Sequence, residues 1–154
     1  MHYAYFTTMD LDCSRGMGME LDRRFNIKEK LHDPHYRNLH FFDEDTHNIE
    51  IGSVVLIDNT LGLVARHNIG ETLTMESIET CLENLYRVCN KHYISSIILE
   101  DPSWYNPEIT YEMVYKYILK SIGLQNRLKI TIRGVGSNEF NNGYGMCDTN
   151  YNHD

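Results

Sequence analysis

Basic residues are scarce in this chain, and their scarcity argues against one large class of partner. The 154 residues contain 14 lysines and arginines against 22 aspartates and glutamates, which gives a formal net charge of −8. Proteins that bind bulk nucleic acid or an anionic membrane do so by neutralising phosphates with lysine and arginine. We therefore expect neither bulk nucleic acid nor a membrane as a partner. A nucleotide pocket remains possible, because it needs only a few local hydrogen-bond donors.

Other features are also missing. No apolar run approaches the roughly 20 residues of a membrane-spanning helix, and the amino terminus shows no secretory leader. The four cysteines form no C-x-x-C pair, and Cys81 and Cys89 fall on the apolar side of a predicted helix, where buried free thiols are common. No closed zinc pattern is formed by the histidines of the polar stretch, His32, His35, His40 and His47. We expect a cytoplasmic protein without metal or cofactor.

The apolar pattern predicts alternating strands and helices. Strands are predicted at 3–8, 49–57, 61–66, 93–99 and 127–133. Helices are predicted at 16–25, at 74–91 with Thr74 as cap, and from a start at Asn106-Pro107-Glu108 to Gly123, with a helical turn at 27–31. This alternation predicts a parallel-type sheet with helices on both faces, in which ligands bind at the carboxyl ends of the strands. Three segments would converge there, at 9–18, 66–72 and 100–106.

The domain is predicted to end at residue 133. The segment 134–154 contains no lysine or arginine and is dominated by glycine and asparagine, so we expect a flexible tail. Alternatively, its aromatic residues dock against a partner, namely Phe140, Tyr144 and Tyr151.

A Gly-x-Gly turn, Gly16-Met17-Gly18, lies between the first strand and the first helix. Glycines let the backbone come close to a ligand, and the amino terminus of a helix carries a partial positive charge that attracts phosphate. The turn therefore predicts a phosphate contact that involves Gly16, Met17, Gly18 and Met19. The alternative is a tight corner between strand and helix with no ligand.

Taken together, these segments resemble a macro domain, in particular the subgroup that contains the terminal ADP-ribose protein glycohydrolase and the antitoxin that removes ADP-ribose from DNA. The resemblance covers most of residues 3–133: a strand, a Gly-x-Gly turn, a helix that ends at Arg23-Arg24-Phe25, a hairpin, a leucine-spaced helix and a buried strand. It implies an α/β, three-layer fold with a mixed sheet flanked by helices. The chain departs from the family by beginning at what would be its second strand, so we expect a version trimmed at the amino terminus. The resemblance also implies an ADP-ribose-type small molecule as the ligand.

Two departures from the family pattern remove its chemistry. The position of the subgroup's catalytic lysine corresponds to Arg66, and a guanidinium stays protonated and is a poor nucleophile. The second Gly-rich loop is replaced by 100–107, which contains no glycine and places Pro107 near the position of the catalytic aspartate. Hydrolysis by the lysine–aspartate pair is therefore not expected. Arg66 either pairs with a phosphate in the crevice or is a solvated strand end.

Three functional hypotheses follow. The first is a binder of ADP-ribose or a related nucleotide that uses the Gly16–Gly18 turn and Arg66. The second is an ADP-ribosyl hydrolase with rebuilt acidic catalysis, drawn from Asp10, Asp12, Glu100 and Asp101. The third is a pseudo-enzyme, for example a viral or mobile-element protein in the host cytoplasm, that binds a host protein through the loop of Asp101, Trp104 and Tyr105 and through the tail. For these two aromatic residues, base stacking and simple rim packing are the alternatives.

Overall fold

A six-stranded mixed sheet organises the described part of this computed structural model, which comprises residues 1–33, 35–36, 38–40, 49–122 and 128–133. The strands are β1 (His2–Thr8), β2 (Asn38–His40), β3 (Val54–Ile57), β4 (Thr60–Arg66), β5 (Ser96–Glu100) and β6 (Lys129–Arg133). Their order across the sheet is β2-β3-β4-β1-β5-β6. The pairs β4–β1, β1–β5 and β5–β6 are parallel, whereas β2 and β3 form an antiparallel edge.

Helices cover both faces of the sheet. They are α1 (Gly16–Phe25), α2 (Ile27–Leu31), α3 (Met75–Lys91) and α4 (Tyr111–Tyr117). One core contains buried side chains of α3 and α4, and the other contains buried side chains of α1 and α2. The three-layer α/β architecture predicted from the sequence is thus confirmed.

The connections of the central strands fix the position of a crevice. The chain leaves β1 toward the face covered by α1, and it leaves β4 and β5 toward the face covered by α3 and α4. Neighbouring parallel strands whose connections go to opposite faces separate at their carboxyl ends, and ligands bind at such switch points. The strand β1 therefore has a switch point on each side, one against β4 and one against β5.

Several predicted elements are confirmed to the residue or nearly so. The helices α1 and α2 have the predicted bounds, and Thr74 caps α3 by accepting a 3.1 Å hydrogen bond from the amide of Ser77. Cys81 and Cys89 are buried free thiols, as expected from their place on the apolar face of α3. Among the described helices, none is long and apolar enough to span a membrane.

The predicted start of the fourth helix at Asn106 is wrong. The helix begins at Tyr111, and Thr110 caps it by accepting from the amide of Met113 at 3.2 Å. The side chain of Asn106 is used elsewhere, because its Nδ2 donates to the carbonyl of Leu73 at 2.8 Å and its Oδ1 accepts from the amide of Glu108. An Asx turn therefore precedes the helix, which ends in a π-helical turn at Ile118–Ile122.

Strand bounds differ where the backbone bends. The predicted strand 49–57 begins only at Val54, because Gly52, with φ +100°, turns the chain just before it. The predicted strand 93–99 begins at Ser96, because Tyr93 adopts a left-handed conformation at the end of α3. The edge strand β2 was not predicted from the sequence. The tail 134–154, Gly123 and Arg127 lie outside the described residues.

Candidate ligand site at the carboxyl ends of the strands

The three segments that were predicted to converge do lie together at the carboxyl ends of β1, β4 and β5. The amide of Met9 donates to the carbonyl of Arg66 at 3.0 Å, which joins the first segment to the second. The amide of Met17 donates to Oε2 of Glu100 at 2.7 Å, which joins the first to the third. The three loops that were predicted to meet at this edge of the sheet therefore do meet.

Glu100 occupies the centre of this arrangement. Its side chain is fully buried, and its Oε1 accepts the amide of Phe6 at 2.9 Å. Its Oε2 accepts both the amide of Met17 and the hydroxyl of Tyr105, the latter at 2.8 Å. The paired residues of β1 and β5 end at Ala4 and Leu99, so this carboxyl group bridges the two strands where they separate. It also connects β5 to the first turn of α1.

The environment of Glu100 moves the pKa of its carboxyl group into the neutral range. Burial raises the pKa of this carboxyl to about 7, because a charged group is poorly solvated in the protein interior. The bonds from Met17, Phe6 and Tyr105 and the positive charge of Arg66 act in the opposite direction but do not cancel the effect of burial. Glu100 is therefore a buried group that gains or loses a proton in the physiological range.

The two glycines of the turn are both in tight surroundings. Gly16 has φ +65°, and a Cβ there would lie 2.3 Å from the hydroxyl of Tyr105 and 2.4 Å from Oε2 of Glu100. A Cβ at Gly18 would lie 3.1 Å from the ring of Tyr5. Internal packing therefore excludes a side chain at Gly16 and leaves little room for one at Gly18. Met17 and Met19 lie in the same first turn, and the side chain of Met17 is buried in the core beneath it.

Arg66 lies beside this turn and is 3% exposed, so the alternative of a solvated strand end is wrong. Its guanidinium stacks over the ring of Tyr105, 4.6 Å from the centroid, and its Nη1 donates to the carbonyl of Ile69 at 3.3 Å. The buried Nε has no hydrogen-bond partner within the described part of the chain. A buried donor of this kind costs free energy unless something accepts its hydrogen bond.

The two aromatic residues of the loop after β5 differ in position, with Tyr105 on the inside and Trp104 at the surface. Tyr105 is bonded to Glu100, packs edge-on against Phe6 and lies under Arg66, so it belongs to the site itself. Trp104 is half-exposed and stacks edge-on against Tyr105, with ring centroids 5.2 Å apart. Asp101 caps the 3-10 helix Pro102–Trp104 by accepting from the amide of Ser103.

Of the remaining candidate residues, the two aspartates bond to hydroxyl groups that are close to them in the sequence. Asp10 accepts a short hydrogen bond from the hydroxyl of Thr8, and Asp12 accepts from the hydroxyl of Ser14 at 2.6 Å. Of the histidines, His40 contacts His92 with 3.3 Å between their Nε2 atoms. His47 lies outside the described residues. Among the residues that the structure describes, no group of three possible ligands forms a metal site.

Sequence reasoning named Glu100 only as one of several acidic residues and missed its central role. One signal could have found it. A glutamate directly follows the apolar run of β5, at the carboxyl end of a strand buried on both faces. An ionisable side chain at such a position needs partners, and in a parallel sheet these come from neighbouring crossovers.

Comparisons with known proteins are informative for the fold. No protein-family model matches the chain, and no curated protein matches it in sequence. Among solved structures, the chain is similar to the macrodomain of Mycobacterium tuberculosis DarG, with 12% sequence identity and a TM-score of 0.54. The match covers 87% of this chain and 89% of that one. At this level of identity the likeness concerns architecture alone, and the chain has a macrodomain-like fold.

Proposed function

We propose that this chain binds an ADP-ribose-type nucleotide at the carboxyl ends of β1, β4 and β5, with Arg66 contacting a phosphate, and does not hydrolyse it by lysine chemistry. One observation carries the proposal. The buried guanidinium of Arg66 has an unpartnered Nε and lies beside the amino terminus of α1, at the switch points that flank β1. An anion in the crevice would supply the missing acceptor.

The charge of Arg66 supports an anionic ligand. Charged side chains that are buried in proteins are usually paired, because an isolated charge is poorly solvated there. Arg66 forms no ion pair within 4 Å among the described residues, and the nearby carboxyl group of Glu100, with a pKa of about 7, is only partly charged near neutral pH. The ring of Tyr105 partly compensates the guanidinium, but it offers no acceptor to Nε. A phosphate group bound here would be both a hydrogen-bond acceptor and a counter-charge.

The arginine at position 66, which the resemblance aligns with the subgroup's catalytic lysine, is the basis of the proposed reaction class. A guanidinium does not form a Schiff base with an opened ribose, because it keeps its proton. The loop after β5 forms a 3-10 helix with Pro102 at its start and therefore differs from a glycine loop that wraps a phosphate. Trp104, half-exposed at the rim, supplies an aromatic face for a base. These features favour retention of the nucleotide over turnover.

The exposure of Trp104 also favours a second candidate, in which the loop binds a protein partner instead of a nucleotide. In that case the Trp104→Ala variant would lose the partner, and ADP-ribose would not compete with it. The hydrolase hypothesis has less support, because Glu100 is fully buried and is bonded to two backbone amides.

The test is calorimetric titration of ADP-ribose into the wild type and three arginine variants. Arg66→Gln should weaken binding by about ten- to a hundredfold, the usual effect of losing a charged hydrogen bond. Arg23→Gln is the matched control, because Arg23 lies at the far end of α1 and is exposed. Arg66→Lys keeps the charge and should bind more tightly than Arg66→Gln. Equal affinities for all four proteins would remove Arg66 from the site.

A further inference from the structure

We infer that a ligand phosphate and the carboxylate of Glu100 compete for the amino terminus of α1, so that nucleotide binding is coupled to the uptake of one proton by Glu100. This coupling rests on the proposed function and adds a form of regulation to it.

The anion position at the start of α1 already holds an internal anion. Helix amino termini bind anions because their first amides have no acceptor within the helix. In this helix the amide of Met17 donates to Oε2 of Glu100 at 2.7 Å. The same oxygen would lie 2.4 Å from a Cβ at Gly16, so the carboxyl group packs directly against the turn. A phosphate that approaches the turn meets a carboxylate in the place where it would bind.

Three arginines and two tyrosines lie around Glu100. Arg66 faces it from β4, and Tyr105 and Tyr5 face it from the following loop and from β1. Arg15 lies just before α1, and its positive charge acts to lower the pKa of Tyr105. Arg133 is the register partner of Glu100 on β6. Close like charges in a protein interior raise the pKa of a carboxyl group. A bound phosphate would therefore raise the pKa of Glu100 further, in the same direction as burial.

Protonation resolves the competition. Without a ligand, the pKa of Glu100 is about 7, so a proton is gained at little cost near neutral pH. A neutral carboxyl group accepts the hydrogen bond of the Met17 amide less strongly than a carboxylate does, so a phosphate oxygen can displace it from that amide. The Coulomb repulsion is removed in the same step. Proton uptake and phosphate binding thus favour each other by linkage.

The experiment is a set of calorimetric titrations with ADP-ribose, whose diphosphate does not titrate near neutral pH. At about pH 7.5, buffers of different ionisation enthalpy give the number of protons taken up, and the expected value lies between zero and one. Between about pH 7 and pH 8, the affinity should fall by up to tenfold, since one proton is linked to binding. Glu100→Gln should show no uptake and a flat profile. Glu112→Gln, at an exposed position in α4, should behave as the wild type.

The outcomes separate this inference from the proposal on which it rests. Binding of ADP-ribose with no proton uptake would overturn the coupling and leave the proposed function intact. So would a pH profile that Glu100→Gln does not change. Absence of ADP-ribose binding at every pH would overturn the proposed function and the coupling with it. If Glu100→Gln does not fold, the proton count of the wild type decides alone.

Discussion

The amide of Met17 donates a 2.7 Å hydrogen bond to the carboxyl group of Glu100, 83 positions further along the chain. This bond joins the amino terminus of the first helix to the carboxyl end of a strand that forms much later in the sequence. It places a carboxylate of the protein where an anionic ligand would otherwise meet the helix. The site is therefore built around an internal anion, and its behaviour depends on the charge of that group.

The first prediction concerns stability as a function of pH. The pKa of Glu100 is raised from its ordinary 4.5 to about 7, so the folded protein keeps a proton that the unfolded chain releases between these values. This contribution to stability is fully present below about pH 4.5 and is lost as the pH rises through about 7. It amounts to roughly 3 kcal/mol at most. Urea unfolding at several pH values measures it, and the same slope in Glu100→Gln would contradict the assignment.

The second prediction is that loss of the Glu100 carboxyl group is strongly destabilising. Glu100→Ala leaves the amides of Phe6 and Met17 and the hydroxyl of Tyr105 without their acceptor. We expect a loss of roughly 3 to 5 kcal/mol in the free energy of unfolding. Glu100→Gln should cost less, because its amide oxygen still accepts one bond. The control Glu112→Ala should change stability by less than about 0.5 kcal/mol. A similar small effect for Glu100→Ala would be incompatible with the central role of this residue.

The third prediction compares the two glycines of the turn. Gly16→Ala places a Cβ 2.4 Å from Glu100 and strains a backbone with φ +65°. Gly18→Ala meets only the ring of Tyr5, at 3.1 Å. Gly16→Ala should therefore cost at least about 2 kcal/mol, and Gly18→Ala about 1 kcal/mol. Thermal unfolding of both variants measures the difference, and the reverse order would show that the turn is arranged differently.

The fourth prediction concerns reaction class. Because position 66 carries a guanidinium, incubation with ADP-ribose and borohydride should leave no reduced adduct on the protein. Mass spectrometry of the intact chain and of its peptides detects such an adduct. Arg66→Lys is the informative comparison, because it introduces an amine at the position that the proposal aligns with the catalytic lysine of the macro-domain subgroup. An adduct on the wild-type chain would show that another amine acts as nucleophile.

Much of the fold followed from local patterns. Local sequence was enough to predict the bounds of α1 and α2 and the cap of α3 at Thr74, because helix periodicity and capping depend on neighbouring residues. The start of α4 was missed because the side chain of Asn106 bonds to Leu73, a residue far away in sequence. The short edge strand β2 has too few residues for a periodic signal.

The meeting of the loops could be predicted from the topology, but the contacts between their side chains could not. The alternation of strands and helices predicted which loops would meet at the carboxyl ends of the strands, and they do meet. The bonds of Glu100 to Phe6 and Met17 span 94 and 83 positions, so no local pattern could show them. The stacking of Arg66 on Tyr105 depends in the same way on tertiary packing.

The central claim is that the crevice at the carboxyl ends of the strands binds an ADP-ribose-type nucleotide. Calorimetric titration of the wild-type chain with free ADP-ribose tests it most directly. The account predicts saturable binding of one ligand per chain in the micromolar range, weakened in Arg66→Gln and unchanged in Arg23→Gln. No heat of binding at millimolar ligand, for a protein shown to be folded, would contradict it.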